Sequence, residues 1–160
     1  MRGSLGTLMW LRTQGARFVP LFARQAFKVD GKFRFWGGLT VEVSGGGLGL
    51  METLYRQCEK RGIAVRYGAR AAALTRETNG SWRVRVEKDG APHDFTEITA
   101  HTVVIASGGF HANLEWRAKY LGPNWDLAKV RGSRYNTGDG IRMALEAGAV
   151  PHGHWSGCHA

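Results

Sequence analysis

Apolar positions in this chain fall into short runs punctuated by glycine, and the period within each run predicts its element. Val103, Val104, Ile105 and Ala106 are contiguous, which predicts a strand covered on both faces, as in a parallel sheet. Ile141, Ala144, Leu145 and Gly148 recur at helical spacing, predicting a helix over 141–147 that stops at Gly148. Leu50, Leu54 and Cys58 share one face of a second helix over 48–61, which ends at Gly62 and hands over to a strand over 63–67. Strands over 71–77 and 82–87 are joined by Asn79-Gly80, a strong hairpin signal, and Asp89-Gly90 turns the chain toward a strand over 95–98. Near the start, Leu5, Leu8, Met9 and Leu11 form a helical face ahead of Gly15. Phe18 to Phe22 is apolar, and Lys28, Lys32 and Arg34 interrupt the apolar residues between Phe22 and Phe35.

Two of these runs end in residues suited to chemistry. The apolar run stops abruptly at Gly108 and Gly109, which lack side chains and so let a flat or phosphorylated cofactor approach the main chain; the plainer reading is a strand turning into a loop. Asn136-Thr137-Gly138-Asp139-Gly140 stands directly before the 141–147 helix. Thr137 or Asp139 can cap that helix, since a short oxygen-bearing side chain accepts the free N–H groups of its first turn. The Asp139 carboxylate can also accept hydrogen bonds from cofactor hydroxyls, where Gly138 and Gly140 leave room.

Ala106-Ser107-Gly108-Gly109-Phe110, then Asn113, Thr137-Gly138-Asp139-Gly140-Ile141 and Ala147-Gly148-Ala149 resemble the flavoprotein subunits of the fumarate reductase and succinate dehydrogenase family. Phe35-Trp36-Gly37-Gly38-Leu39-Thr40, the run from Leu121 to Gly132 and the run from Gly153 to Ala160 are most similar to its tricarballylate dehydrogenase branch. The resemblance implies an α/β fold: a partial FAD-binding, Rossmann-like domain carrying an antiparallel β-meander. Within residues 1–160 it implies a substrate-side irregular segment (1–44), a helix plus meander (45–101), and an FAD-contacting strand, Gly-Asp-Gly helix and start of a substrate loop (102–160). It assigns FAD contact to Ala71, against the adenine, and to Ala106, Ser107, Gly108, Gly109, Asn113, Thr137, Gly138 and Asp139. A substrate-binding histidine falls at His159, with Ala160 where the family has proline. The implied reaction is oxidation of a tricarboxylic or dicarboxylic acid to its alkene by hydride transfer to flavin. The implied partner is a membrane-associated iron–sulfur electron carrier. The family's catalytic arginine has no counterpart in these residues, and none of Arg117, Arg131, Arg134 or Arg142 is read as one.

The family opens with a strand, a Gly-x-Gly-x-x-Gly turn and a helix, and this chain reads as lacking that unit. Thr40 to Ser44 running into Gly45-Gly46-Gly47-Leu48-Gly49-Leu50 has its outline. Leu50, however, stands where the third glycine lets helix pack on strand, and no Asp or Glu lies between Arg61 and Glu77 to take ribose hydroxyls. At 160 residues the chain is short for a flavoprotein with cofactor, cap and substrate domains, so it is expected to be a fragment, inactive alone.

A net charge of +9 introduces a rival, a small basic nucleic-acid-binding module, because dense Lys and Arg bind phosphate by counterion release. The cations are spread along the chain without a helix-turn-helix or RNP-like pattern, and a cationic excess equally suits FAD and a polycarboxylate, so no nucleic-acid partner is expected. The flavoprotein half of a cobalamin-pathway oxygenase shares the same motifs and stands as a further alternative. Cys58 and Cys158 make an even count without a disulfide framework. His154, Cys158 and His159 have metal-ligand side chains but not the regular four-ligand spacing of a structural zinc site, so no metal is expected. No stretch approaches the roughly twenty apolar residues of a membrane span. Arg12 and Arg17 interrupt the short apolar segment that would otherwise suggest a signal peptide. A cytoplasmic location is expected.

Overall fold

The computed structural model describes residues 3–88 and 90–157. They fall into two compact units, Met1–Arg66 and Tyr67–Ala160. The division at 66/67 places the helix after the glycine run with the N-terminal segment rather than with the meander.

The first unit opens with α1 (Ser4–Thr13), as its apolar spacing predicts. The chain then reverses at Gly15, where φ is +99°. The turn is anchored at Gln14: Gln57 donates to its backbone carbonyl at 2.8 Å and Arg61 to its side-chain oxygen at 2.8 Å. Both donors lie toward the end of α3 (Gly46–Lys60). β1 (Phe18–Pro20) pairs antiparallel with β4 (Val41–Val43). Between them lie the short helix α2 (Phe22–Gln25) and a hairpin of β2 (Ala26–Val29) and β3 (Lys32–Phe35). That hairpin turns on Asp30 and Gly31, both at positive φ. The outline of a dinucleotide-binding unit from β4 into α3 does not become a parallel βαβ: among the described residues β4 pairs with β1 alone, and the expected strand over 63–67 is irregular, with Ile63 and Tyr67 exposed. At the β4–α3 joint Gly45 is left-handed, and a Cβ on Gly49 would run into the Ser44 carbonyl oxygen.

The second unit is built on a three-stranded antiparallel meander in the order β5 (Ala69–Arg76), β6 (Trp82–Lys88), β7 (Ala91–Ala100). The Asn79-Gly80 turn forms as expected. Gly80 has φ +84°, and Asn79 Oδ1 accepts from both the N–H and the hydroxyl of Ser81. β5 carries a bulge: Ala71 pairs with Val86 and Ala73 with Arg85, leaving Ala72 without a ladder partner. α4 (Leu114–Leu121) is capped by Asn113, whose side chain accepts from the Trp116 N–H at 3.0 Å. Buried Arg117 on α4 donates to the Ala128 and Asp126 carbonyls, tying the helix to the 3-10 turn Trp125–Leu127. α5 (Asp139–Glu146) packs on β5 and ends in a Schellman motif, with Ala149 N–H bonded to the Ala144 carbonyl, Gly148 N–H to Leu145, and Gly148 at φ +96°.

Two expectations fail in this unit. Residues 102–109 form no strand, and Val104 is 85% exposed. A strand exists by exchanging backbone hydrogen bonds with a neighbour, and among the described residues every pairing is antiparallel and none reaches this segment, so the parallel sheet expected of a Rossmann-like domain is not seen there. Neither Thr137 nor Asp139 caps α5: the cap position is Gly138 at φ +85°, with no side-chain cap bond. The Asp139 carboxylate instead accepts from the Thr137 hydroxyl.

Candidate cofactor site

Most of the sequence-predicted cofactor residues converge in the second unit around the irregular segment 105–109, in which Gly108 has φ +74°. One cleft, of about 290 Å³, is lined by Ser107, Gly108, residues of α5, the chain from Ala149 to His152, and Trp155. A smaller, mostly apolar cleft of about 140 Å³ is lined by Ala71, Leu74, Val84, Ala106, Ser107 and Met143. Ser107 borders both.

Two glycines explain how the backbones come so close. A Cβ on Gly140 would collide with Ser107 Oγ and would stand 2.6 Å from Ile105 Cγ2, so only glycine lets the first turn of α5 press against the segment. Gly138 combines φ +85° with the Trp116 ring 2.8 Å from where its Cβ would be. Gly109 differs from both, because a Cβ there would meet nothing within 4 Å. The loop is closed by the Gly138 N–H on the Gly109 carbonyl, the Ala112 N–H on the Asn136 carbonyl, and the Asn113 amide on the Thr137 carbonyl at 3.0 Å. Beneath it Phe110, Trp116, Tyr120 and Trp155 form a contiguous aromatic cluster.

The charged group of the site is Asp139. Its Oδ2 accepts from the Thr137 hydroxyl at 2.8 Å and its Oδ1 from Arg70 at 2.9 Å, with Arg142 3.9 Å from the same oxygen. Partial burial pushes the carboxyl up. The hydrogen bonds from Thr137 and Arg70 and the charges of Arg70 and Arg142 outweigh it, so its pKa lies below the ordinary 3.8 and the group is an anion at neutral pH.

Ala71, Ala106, Ser107 and Gly108 thus line the clefts, while Gly109, Asn113, Thr137, Gly138 and Asp139 form the hydrogen-bonded loop beside them. His159 lies outside the described residues, as do Cys158 and Ala160. Sequence reasoning missed Arg70 and Arg142. Arg142 had a readable signal in its spacing, three residues after Asp139 and four before Glu146, and Arg70 had none.

The sequence profile of the FAD binding domain matches residues 6–154. The chain belongs to the FAD binding domain family. The FAD domain is 26% identical over 152 residues to the vinyl phenol reductase of Lactiplantibacillus plantarum, covering 94% of this chain and 29% of that protein. It is 30% identical over 142 residues to a probable fumarate reductase, Ifc3, of Shewanella frigidimarina, covering 89% of this chain and 23% of that protein. The chain therefore spans between a quarter and a third of the first relative and under a quarter of the second. No solved structure matches it.

The residues present fit the family's cofactor. Gly109 leaves its face of the backbone open, the two clefts share Ile105 and Ser107 and are lined largely by apolar side chains that suit flat rings, and Asp139 offers an anionic acceptor suited to hydroxyl groups. No described helix is long and apolar enough to cross a membrane.

Proposed function

We propose that this chain forms part of the FAD-holding domain of a flavin oxidoreductase that acts on the CH–CH bond of a small polycarboxylate, after the manner of the tricarballylate dehydrogenases. The observation that carries the reading is that Ala71, the 106–109 segment with its two glycines, and Asp139 lie within one unit. Bound flavin supplies the hydride chemistry. The chain supplies position: Ala71 and its apolar neighbours take the adenine end, the 106–109 backbone lies along the cofactor, and Asp139 uses its remaining lone pairs to accept from cofactor hydroxyls. Asn113 and Gly138 hold the loop that orients these groups. The fumarate reductase named among the relatives supports a carboxylate substrate. His159 remains the proposed substrate contact, and an iron–sulfur electron carrier and a cytoplasmic location belong to the same proposal.

A second reading, reduction of a vinyl group on an aromatic substrate, draws on the other relative's name and on one observation: the larger cleft has no Lys or Arg among its lining residues, while Ile105, Ile141, Leu145, Val150 and Trp155 contribute. Both readings require FAD. The test is a fluorescence titration of FAD into the purified 160-residue chain and into a form joined to an upstream strand, Gly-x-Gly-x-x-Gly turn and helix. Saturable quenching by either form is expected; failure of both sinks the proposal. Loss of binding on Asp139→Ala, with the fold intact by circular dichroism, would tie it to this site.

A further inference from the structure

Arg142 makes a connection that nothing in the cofactor reading requires. Its Nη2 donates to the Ala72 carbonyl at 2.7 Å, joining α5 to the bulge of β5. A bulge leaves its extra residue outside the ladder, and the carbonyl of such a residue needs another donor when water is partly excluded. Ala72 is half-buried, and Arg142 is that donor. The guanidinium is also oriented by its own helix. Nη1 donates to both carboxylate oxygens of Glu146, at 2.8 and 2.7 Å, and Nη2 lies 3.9 Å from Asp139 Oδ1. A planar fork fixed by carboxylates one turn ahead and one turn behind has little freedom left, and its Nη2 edge faces the bulge.

The residue next to that bulge is Ala71, which lines the smaller cleft beside Ala106, Ser107 and Met143. Without a donor for Ala72, the bulge could slide along β5, and a shift of one residue would turn Ala71 to the other face of the sheet. We propose that Arg142 is a positioning residue that fixes the β5 bulge so that Ala71 meets the adenine end of the cofactor. The inference rests on the assignment of Ala71 to the adenine and adds the group that sets its geometry. It also links the two ends of the site, since Arg142 stands beside Asp139 and holds the bulge at once.

The test compares Arg142→Gln, Arg142→Lys and Glu146→Gln with the unmodified protein, in the form that binds FAD. Affinity is measured for FAD by fluorescence quenching and for ADP by competition, and amide exchange is followed through β5. Arg142→Gln is expected to weaken FAD and ADP by the same factor, about tenfold, with faster exchange confined to the bulge and the rest of the meander still protected. Arg142→Lys, which keeps a cationic donor, recovers part of the loss, and Glu146→Gln changes affinity much less. The proposal is overturned if Arg142→Gln weakens FAD but leaves ADP untouched, if it changes neither, or if exchange rises throughout the meander while Arg142→Lys rescues nothing. If the unmodified protein binds FAD but not ADP, the adenine placement fails while the FAD reading survives. If it binds neither, both fall.

Discussion

Arg70, at the start of β5, donates to the carboxylate of Asp139, at the start of α5, across 2.9 Å and 69 positions of sequence. This bond makes the first turn of α5 answer to the meander, and it makes the unit's stability depend on the ionisation of one carboxyl. The folded-state pKa of Asp139 is depressed below 3.8, so the stabilisation is complete above that value and is lost as pH falls through the lower folded-state value. Urea unfolding of the unmodified chain and Asp139→Asn, compared from about pH 6 down to about pH 2, should show a constant gap that narrows only at the acid end. A gap that widened on acidification would contradict the assignment.

Gly109 and Gly138 should separate cofactor contact from folding. Gly109→Ala adds a methyl to open space, so the melting temperature should stay unchanged, and the loss should appear as weaker FAD quenching. Gly138→Ala forces a left-handed backbone against the Trp116 ring and the Phe110 Cβ, at a cost of about 1–3 kcal/mol in stability before any ligand is added. Equal effects of the two substitutions on melting would show that the open face at Gly109 is wrongly drawn.

Arg117 is a buried cation with a structural task. Both of its terminal nitrogens are spent on the Ala128 and Asp126 carbonyls. Arg117→Met should destabilise the chain by about 2–3 kcal/mol, because two carbonyls lose the charged donor that a buried side chain brings to them. Thermal unfolding measures the loss, and FAD affinity extrapolated to the folded fraction should not change.

The elements legible in the sequence are those whose partners are close along the chain. Asn79-Gly80 announces the β5–β6 turn, Gly148 the end of α5, and the period of Leu50, Leu54 and Cys58 the helix α3. The Asp30-Gly31 turn carried an equally plain Asp-Gly signal, which the surrounding lysines and arginine obscured. What failed depended on distant neighbours. Val103 to Ala106 and Ile63 to Tyr67 have the composition of strands, yet strand formation is decided by which backbone lies alongside, and period alone does not supply that. The site divides in the same way. Gly108, Gly109 and Asp139 are visible because glycine and a short acid beside a helix have local meanings, whereas Arg70 is one cation among many until the fold brings it to Asp139.

The joint between β4 and α3 has a bearing on how such chains drift. At Gly49 a methyl group would strike the Ser44 carbonyl, and relief would require moving main chain. Nearby Gly47 meets no such obstacle. Selection for folding alone would therefore purge changes at Gly49 even in a lineage that had abandoned its ligand, while Gly47 wandered freely. The glycines of one short run would then age at different rates, and the slow one would record the shape of the chain rather than its chemistry.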